Sequence, residues 1–165
     1  MSVICAKIYE DKIVIAGDSI MVRGDSKYFN GDCPKLQRIN DVIIGSTGYC
    51  QEGSLMRHYI REHKPKDSTV KSILDYIVEF KKWRKDYDEK KEVENSYILA
   101  FDGKCFSISG MFVYEISDYC VFGAGEDYAS AALFLGHSPR EAVKAAAALC
   151  CKVAEPIVEE VMPRL

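Results

Sequence analysis

The chain has 165 residues, 48% hydrophobic and 28% charged, which fits one globular domain and excludes disorder as a description. Its 22 Lys and Arg against 25 Asp and Glu leave a net charge of −3, so the basic footprint of a nucleic-acid binder is missing. No run approaches the ~18 apolar residues that span a bilayer, and residues 1–7 lack the long apolar region of a signal peptide, so no membrane partner and a cytoplasmic location are expected.

Residues 3–8 form a short apolar run that predicts a largely buried strand. Glu10-Asp11 supplies a turn, and 12–16 predict a second strand folded back as a hairpin, ended by Gly17 and followed by Asp18. The polar stretch 23–34, rich in Gly, Asp and Asn, reads as a loop or an irregular hairpin. Residues 35–39 and 42–45, around a turn at Asn40-Asp41, predict another hairpin. A helix is expected over 51–63, with Leu55, Met56, Tyr59 and Ile60 at helical spacing and Pro65 as its stop. Ser68 then caps a longer helix whose apolar face is Val70, Ile73, Leu74, Ile77, Val78, Phe80 and Trp83. Its tail, 81–94, mixes both charge signs densely and reads as a solvated helix end and connector.

Strands return at 97–101 and 105–109, around Asp102-Gly103, and at 112–116 and 119–122. Gly123-Ala124-Gly125 breaks the pattern. Helices are expected at 128–135 and, with Pro139 in the first turn, at 140–152; the alanines from 145 to 148 read as a close-packed helix face. A last strand fits 156–162. This order predicts two sheets covered by helix pairs, an α+β layered sandwich. The seven cysteines include no C-x-x-C pair, which points to free thiols in a reducing compartment.

Three polar features interrupt the apolar pattern: Asp18 after the second strand, Lys35 at the start of a strand, and Gly45-Ser46-Thr47-Gly48 between a strand and a helix. A Gly-rich strand-to-helix turn presents N–H groups that can hold an oxyanion. Each feature alone is ordinary; the terminus gives them a shared chemistry. Loss of the initiator methionine leaves Ser2 with a hydroxyl and a free α-amine, whose ordinary pKa of ~7.7–8 makes it a usable base near neutral pH. Such an amine can take the proton of its own hydroxyl. A nearby Lys ammonium favours the neutral amine and stabilises negative charge developing on the oxygen, and an Asp paired with that Lys keeps it charged and oriented. Ser2, Lys35, Asp18 and the Gly45 amide supply this set.

The terminal strand, Ile15-Ala16-Gly17-Asp18-Ser19, and the run from Lys35 through Leu36-Gln37-Arg38-Ile39 to Gly45 together resemble the proteasome β-subunit and bacterial HslV peptidase family of N-terminal-nucleophile hydrolases. The similarity resumes at Gly123-Ala124-Gly125 and the helix after it. The resemblance implies a four-layer αββα sandwich in one domain, with Ser2 as nucleophile, Asp18 and Lys35 as its supporting pair, Gly45 as oxyanion donor and Thr47 lining the primary specificity pocket. It also implies peptide or unfolded protein as substrate, homo-oligomeric rings stacked face to face, and service by an ATP-dependent unfoldase. The chain departs from the family pattern in carrying Ser where Thr is usual, and Ala124 where the family commonly has Ser. Around Cys150 and Val153 it also lacks the family's Asp and its Ser or Thr. These departures carry an alternative, a catalytically silent structural or assembly subunit of the same fold; an amidohydrolase acting on a small amide is a further one. No cofactor or metal is expected: Gly123 to Tyr128 lacks the third glycine of a dinucleotide fingerprint, and His58, His63 and His137 have no ligand-like spacing.

Overall fold

Apolar residues that fill both faces of a strand require cover on both sides, and the computed structural model supplies it with two stacked sheets between helix pairs. It describes residues 2–29, 34–90 and 92–164. The first sheet has the order β10-β1-β2-β11, from β1 (Val3–Ile8), β2 (Lys12–Asp18), β10 (Tyr119–Gly123) and β11 (Ile157–Pro163). The second runs β5-β6-β7-β8-β9, from β5 (Leu36–Ile39), β6 (Val42–Thr47), β7 (Ser96–Phe101), β8 (Lys104–Ser109) and β9 (Phe112–Glu115). Every pairing in both sheets is antiparallel. Helices α1 (Cys50–Glu62) and α2 (Val70–Trp83) cover the second sheet, and α3 (Glu126–Phe134) and α4 (Pro139–Leu149) cover the first. This is the four-layer αββα sandwich that the resemblance implies.

The period-2 geometry of a strand divides its side chains between these layers. Val3 and Cys5 of β1 face α3 and α4, while Ile4 and Ala6 enter the layer between the sheets. Ile43 of β6 joins Ile4, Ile15 and Leu36 in that inter-sheet layer, while Val42 and Ile44 pack toward α1 and α2. Small residues, Ala129 and Ala132 on α3 with Ala142 and Ala146 on α4, let the second helix pair pack closely. The α4 start is held by a capping box, in which Ser138 Oγ accepts the Glu141 N–H and the Glu141 carboxylate accepts the Ser138 N–H, with Pro139 in the first turn.

Several boundaries differ from expectation. Strand β2 continues through Gly17 to Asp18, and β6 continues to Thr47, so Gly45 is a strand residue rather than part of a turn. The cap of α2 is Thr69, whose side chain accepts the Ser72 N–H, instead of Ser68; the Ser68 hydroxyl donates to Asp102. Helix α3 begins at Glu126, and α4 stops at Leu149 because Cys150 is already extended. A short hairpin, β3 (Ile20–Arg23) with β4 (Ser26–Phe29), begins before the polar stretch and runs into it; residues 30–33 of that stretch fall outside the described residues. The connector expected to be solvated is not uniformly so: Arg84 is 0% exposed, because Glu52 of α1 offers it a carboxylate inside the core. The described cysteines carry free thiols. Among the described residues no helix is long and apolar enough to cross a membrane.

Candidate active site

Strand β1 sits between β10 and β2, so its first residues lie among the ends of three strands. Val3 is opposite Gly123 of β10, and Ile4 is opposite Gly17 of β2. Ser2, directly before β1, is only 3% exposed. Extension of β2 to Asp18 brings that carboxylate back to the start of β1, where Asp18 Oδ1 accepts the Val3 N–H at 2.9 Å. Lys35, immediately before β5, places Nζ 2.9 Å from Asp18 Oδ1 and 2.8 Å from Oδ2. The Lys35 carbonyl accepts the Ser46 N–H at 2.8 Å, which ties Lys35 to β6.

The ion pair is nearly dry, with side-chain exposures of 11% for Lys35 and 0% for Asp18. Buried charges persist where partners and hydrogen bonds satisfy them, and here a backbone N–H and an ammonium share one carboxylate. On the other side of Ser2, its carbonyl lies 3.4 Å from the Gly125 N. Gly123 approaches that carbonyl so closely that a Cβ would fall 2.2 Å from the oxygen, and its φ of 112° lies in the region that favours glycine. The backbone around Ser2 is therefore held from both neighbouring strands.

A cavity of about 60 Å³ opens beside Ser2 and Lys35. Ser46, Gly48, Tyr49 and Cys50 form one wall, Met21 and Val22 of β3 another, and Gly53, Arg57 and Asn95 complete the lining with Pro34. The Arg57 guanidinium donates to the Pro34 carbonyl at 3.1 Å, which pins the chain just before Lys35. What the arrangement offers chemically is a hydroxyl-bearing residue, an ammonium paired with a buried carboxylate, and a small concave surface beside them.

Ser2, Asp18 and Lys35 thus come together, although they lie far apart in sequence. Gly45 does not border the cavity: it is paired with Leu36 and Ile98 inside the sheet, and a Cβ on it would lie 3.2 Å from Ile4 Cδ1. The glycine on the cavity wall is Gly48. Thr47 is buried at the end of β6, paired with Ser96, between two lining residues without being one itself. Ala124 and Cys150 meet through their own contact, the Cys150 thiol donating to the Ala124 carbonyl at 3.4 Å, and Val153 is fully buried. Two lining residues, Gly48 and Asn95, carry no role in the sequence-based expectation. The second glycine of Gly45-Ser46-Thr47-Gly48 was a usable signal for the first, and nothing local marked Asn95.

The sequence matches no protein-family model and no curated protein. Solved structures do match. Thiobacillus denitrificans BPH in complex with epoxomicin superposes with a TM-score of 0.87 at 20% identity, covering 98% of this chain and 98% of that one. A second structure of Thiobacillus denitrificans BPH gives the same TM-score at 19% identity, over 98% and 97% of the two chains. Eukaryotic HslV from Trypanosoma brucei gives 0.75 at 24% identity, over 98% and 99%. The chain has the fold of these BPH and HslV structures along nearly its whole length.

Proposed function

We propose that this protein is an N-terminal-nucleophile peptidase subunit of the HslV type, cleaving peptide bonds through an acyl-enzyme on Ser2 once Met1 has been removed. One observation carries the reading: a single buried carboxylate, Asp18, holds both the Lys35 ammonium and the first peptide N–H after Ser2. In this scheme the Ser2 amine takes the proton of Ser2 Oγ as the oxygen attacks the substrate carbonyl. The Lys35 charge keeps the amine neutral and steadies the oxygen. The oxyanion falls to the backbone at Gly48 in place of Gly45, since Gly48 borders the cavity. The side chain before the scissile bond enters the cavity beside Lys35, with Thr47 shaping its wall from behind.

The proposed substrate is unfolded polypeptide in the cytoplasm, delivered by an ATP-dependent unfoldase to rings of this chain stacked face to face. The test begins with intact mass on protein from its native host, which reports whether Met1 is gone. Ser2→Ala should then abolish hydrolysis of fluorogenic peptides and adduct formation with epoxomicin, with the melting temperature unchanged, and Ser2→Thr should keep both activities. Residual hydrolysis by Ser2→Ala above a few per cent of wild type removes Ser2 as the nucleophile.

A second reading, a silent assembly subunit, is favoured by one specific observation. Where the family pattern carries hydroxyl and carboxylate groups around the terminal amine, this chain has a thiol bonded to the Ala124 carbonyl and a buried Val153. Absence of both hydrolysis and adduct in protein lacking Met1 selects that reading.

A further inference from the structure

Glu52, Arg84, Asn95 and Tyr97 form a polar cluster inside the helix-side core, and the chemistry proposed above uses none of them. Glu52 is 1% exposed, Arg84 0% and Asn95 1%. Arg84 Nη1 donates to Glu52 Oε2 at 2.7 Å, and the same oxygen accepts the Glu94 N–H at 3.1 Å. Glu52 Oε1 accepts the Asn95 N–H at 2.9 Å and the Tyr97 hydroxyl at 2.8 Å. One carboxylate therefore gathers four donors from two separate segments, Arg84 after α2 and residues 94–97. A buried ion pair contributes little stability over an apolar substitute of the same shape, so what it positions is the better account of its presence.

What it positions is Asn95. The Asn95 side chain closes on the backbone of Tyr49, besides its contact with Tyr97: Oδ1 accepts the Tyr49 N–H at 2.6 Å, and Nδ2 donates to the Tyr49 carbonyl at 2.9 Å. Tyr49 is the residue before α1, extended at φ −81° and ψ 128°, and its own side chain makes no capping hydrogen bond. Its neighbour Gly48 has φ 122°, and a Cβ there would fall 2.2 Å from Asn95 Oδ1. Gly48, Tyr49 and Asn95 all border the cavity that holds Ser2 and Lys35.

We infer that Asn95 is a positioning residue of the candidate active site. It fixes the Gly48-Tyr49 wall relative to Ser2, and the Glu52–Arg84 pair holds Asn95 in place to do so. The activity part of this inference rests on the peptidase reading; the placement of the wall does not. Because the Asn95 backbone, and not its side chain, meets Glu52, replacing the side chain frees the wall while leaving the ion pair intact.

The experiment uses the full chain in its native assembly and compares Asn95→Ala with Tyr76→Phe. The latter removes a hydrogen bond to the His63 carbonyl in the same helix-side core, away from the cavity. Two quantities are read: kcat and KM for a fluorogenic peptide, and the rate at which iodoacetamide alkylates Cys50, resolved by peptide mapping. Cys50 is exposed and borders the cavity next to Tyr49. Asn95→Ala should lower kcat by ~100-fold, as an ångström-scale misplacement does, and speed Cys50 alkylation severalfold, while Tyr76→Phe leaves both near wild type. If Asn95→Ala does not fold, Asn95→Asp keeps the volume and the acceptor for the Tyr49 N–H but loses the donor, and should move both readouts in the same direction. Wild-type values for the Asn95 variants, or equal changes in Tyr76→Phe, overturn the inference. If the wild type hydrolyses no peptide, the peptidase reading falls, and the alkylation comparison alone decides whether Asn95 positions the wall.

Discussion

Lys35 meets Asp18 through both carboxylate oxygens, at 2.9 and 2.8 Å, and one of those oxygens also accepts the Val3 N–H. The ion pair is thus fastened to the chain terminus rather than floating in the cavity. Loss of Lys35 consequently has two effects. Lys35→Ala should eliminate peptide hydrolysis and also destabilise the fold by about 3–5 kcal/mol, since Asp18 is left as an uncompensated buried charge. Lys35→Arg should restore part of the stability, measured by denaturant unfolding, but no activity, because a planar guanidinium cannot occupy the place of a compact ammonium. An active Lys35→Arg protein would show that this position supplies charge alone.

Gly123 gives a steric test of the same terminus. Gly123→Ala places a Cβ 2.2 Å from the Ser2 carbonyl oxygen at a φ of 112°. The clash and the backbone strain together should cost about 3 kcal/mol or more. Thermal unfolding measures that loss, and hydrolysis should fall further than stability does because Ser2 itself is displaced.

Ala124→Ser bears on the two functional readings. One positioned hydrogen bond is worth ~0.5–1.5 kcal/mol, and about 1.4 kcal/mol is tenfold in rate. A working but slow nucleophile should therefore gain about two- to tenfold in kcat from the added hydroxyl, whereas a silent subunit should gain nothing.

Stability should decline in alkali. Cys5, fully enclosed between β1 and the α3–α4 layer, has its thiol pushed up to about 12 by burial, against ~8.5 for an unfolded thiol. Below the unfolded value both states are protonated and the contribution is whole. Between that value and about 12 only the unfolded chain releases the proton, so stability falls with rising pH by about 1.4 kcal/mol per unit for each such group. Burial raises Cys105 as well. Urea unfolding between pH 8 and 11 should show this slope, and Cys5→Ala should make it shallower by one proton.

The frame of the site was legible because its parts are tied to local patterns. Asp18 ends an apolar strand, Lys35 opens another, and Ser2 precedes the first, so periodicity marked the two charges as interruptions, and the resemblance joined them to Ser2. The wall was not legible. Arg84 sits among Lys81, Lys82, Lys85 and Asp86, and such a run reads as a solvated surface unless one knows that Glu52 of another helix reaches it. Asn95 has no neighbour in sequence that marks it, since its partner, Tyr49, lies on the far side of two helices along the chain. Strand β6 was expected to end at Gly45, the residue to which the resemblance assigns the oxyanion. Its continuation to Thr47 carries the cavity edge on to Gly48.

The candidate site straddles the two sheets: Ser2 and Asp18 belong to the first, whereas Lys35 and Gly48 adjoin strands of the second. The apolar layer between them, with Ile4, Ile15, Leu36 and Ile43 at its centre, therefore acts as a spacer gauge. Its thickness sets the gap across which Ser2 and the cavity wall face one another. Close-packed interiors transmit small volume changes, and about 1 Å of misalignment can cost ~100-fold in rate. Residues that touch no substrate and look like ordinary core would then tune turnover through the spacing they impose, and an exchange of Ile for Val in this layer would be felt in catalysis before it was felt in melting temperature.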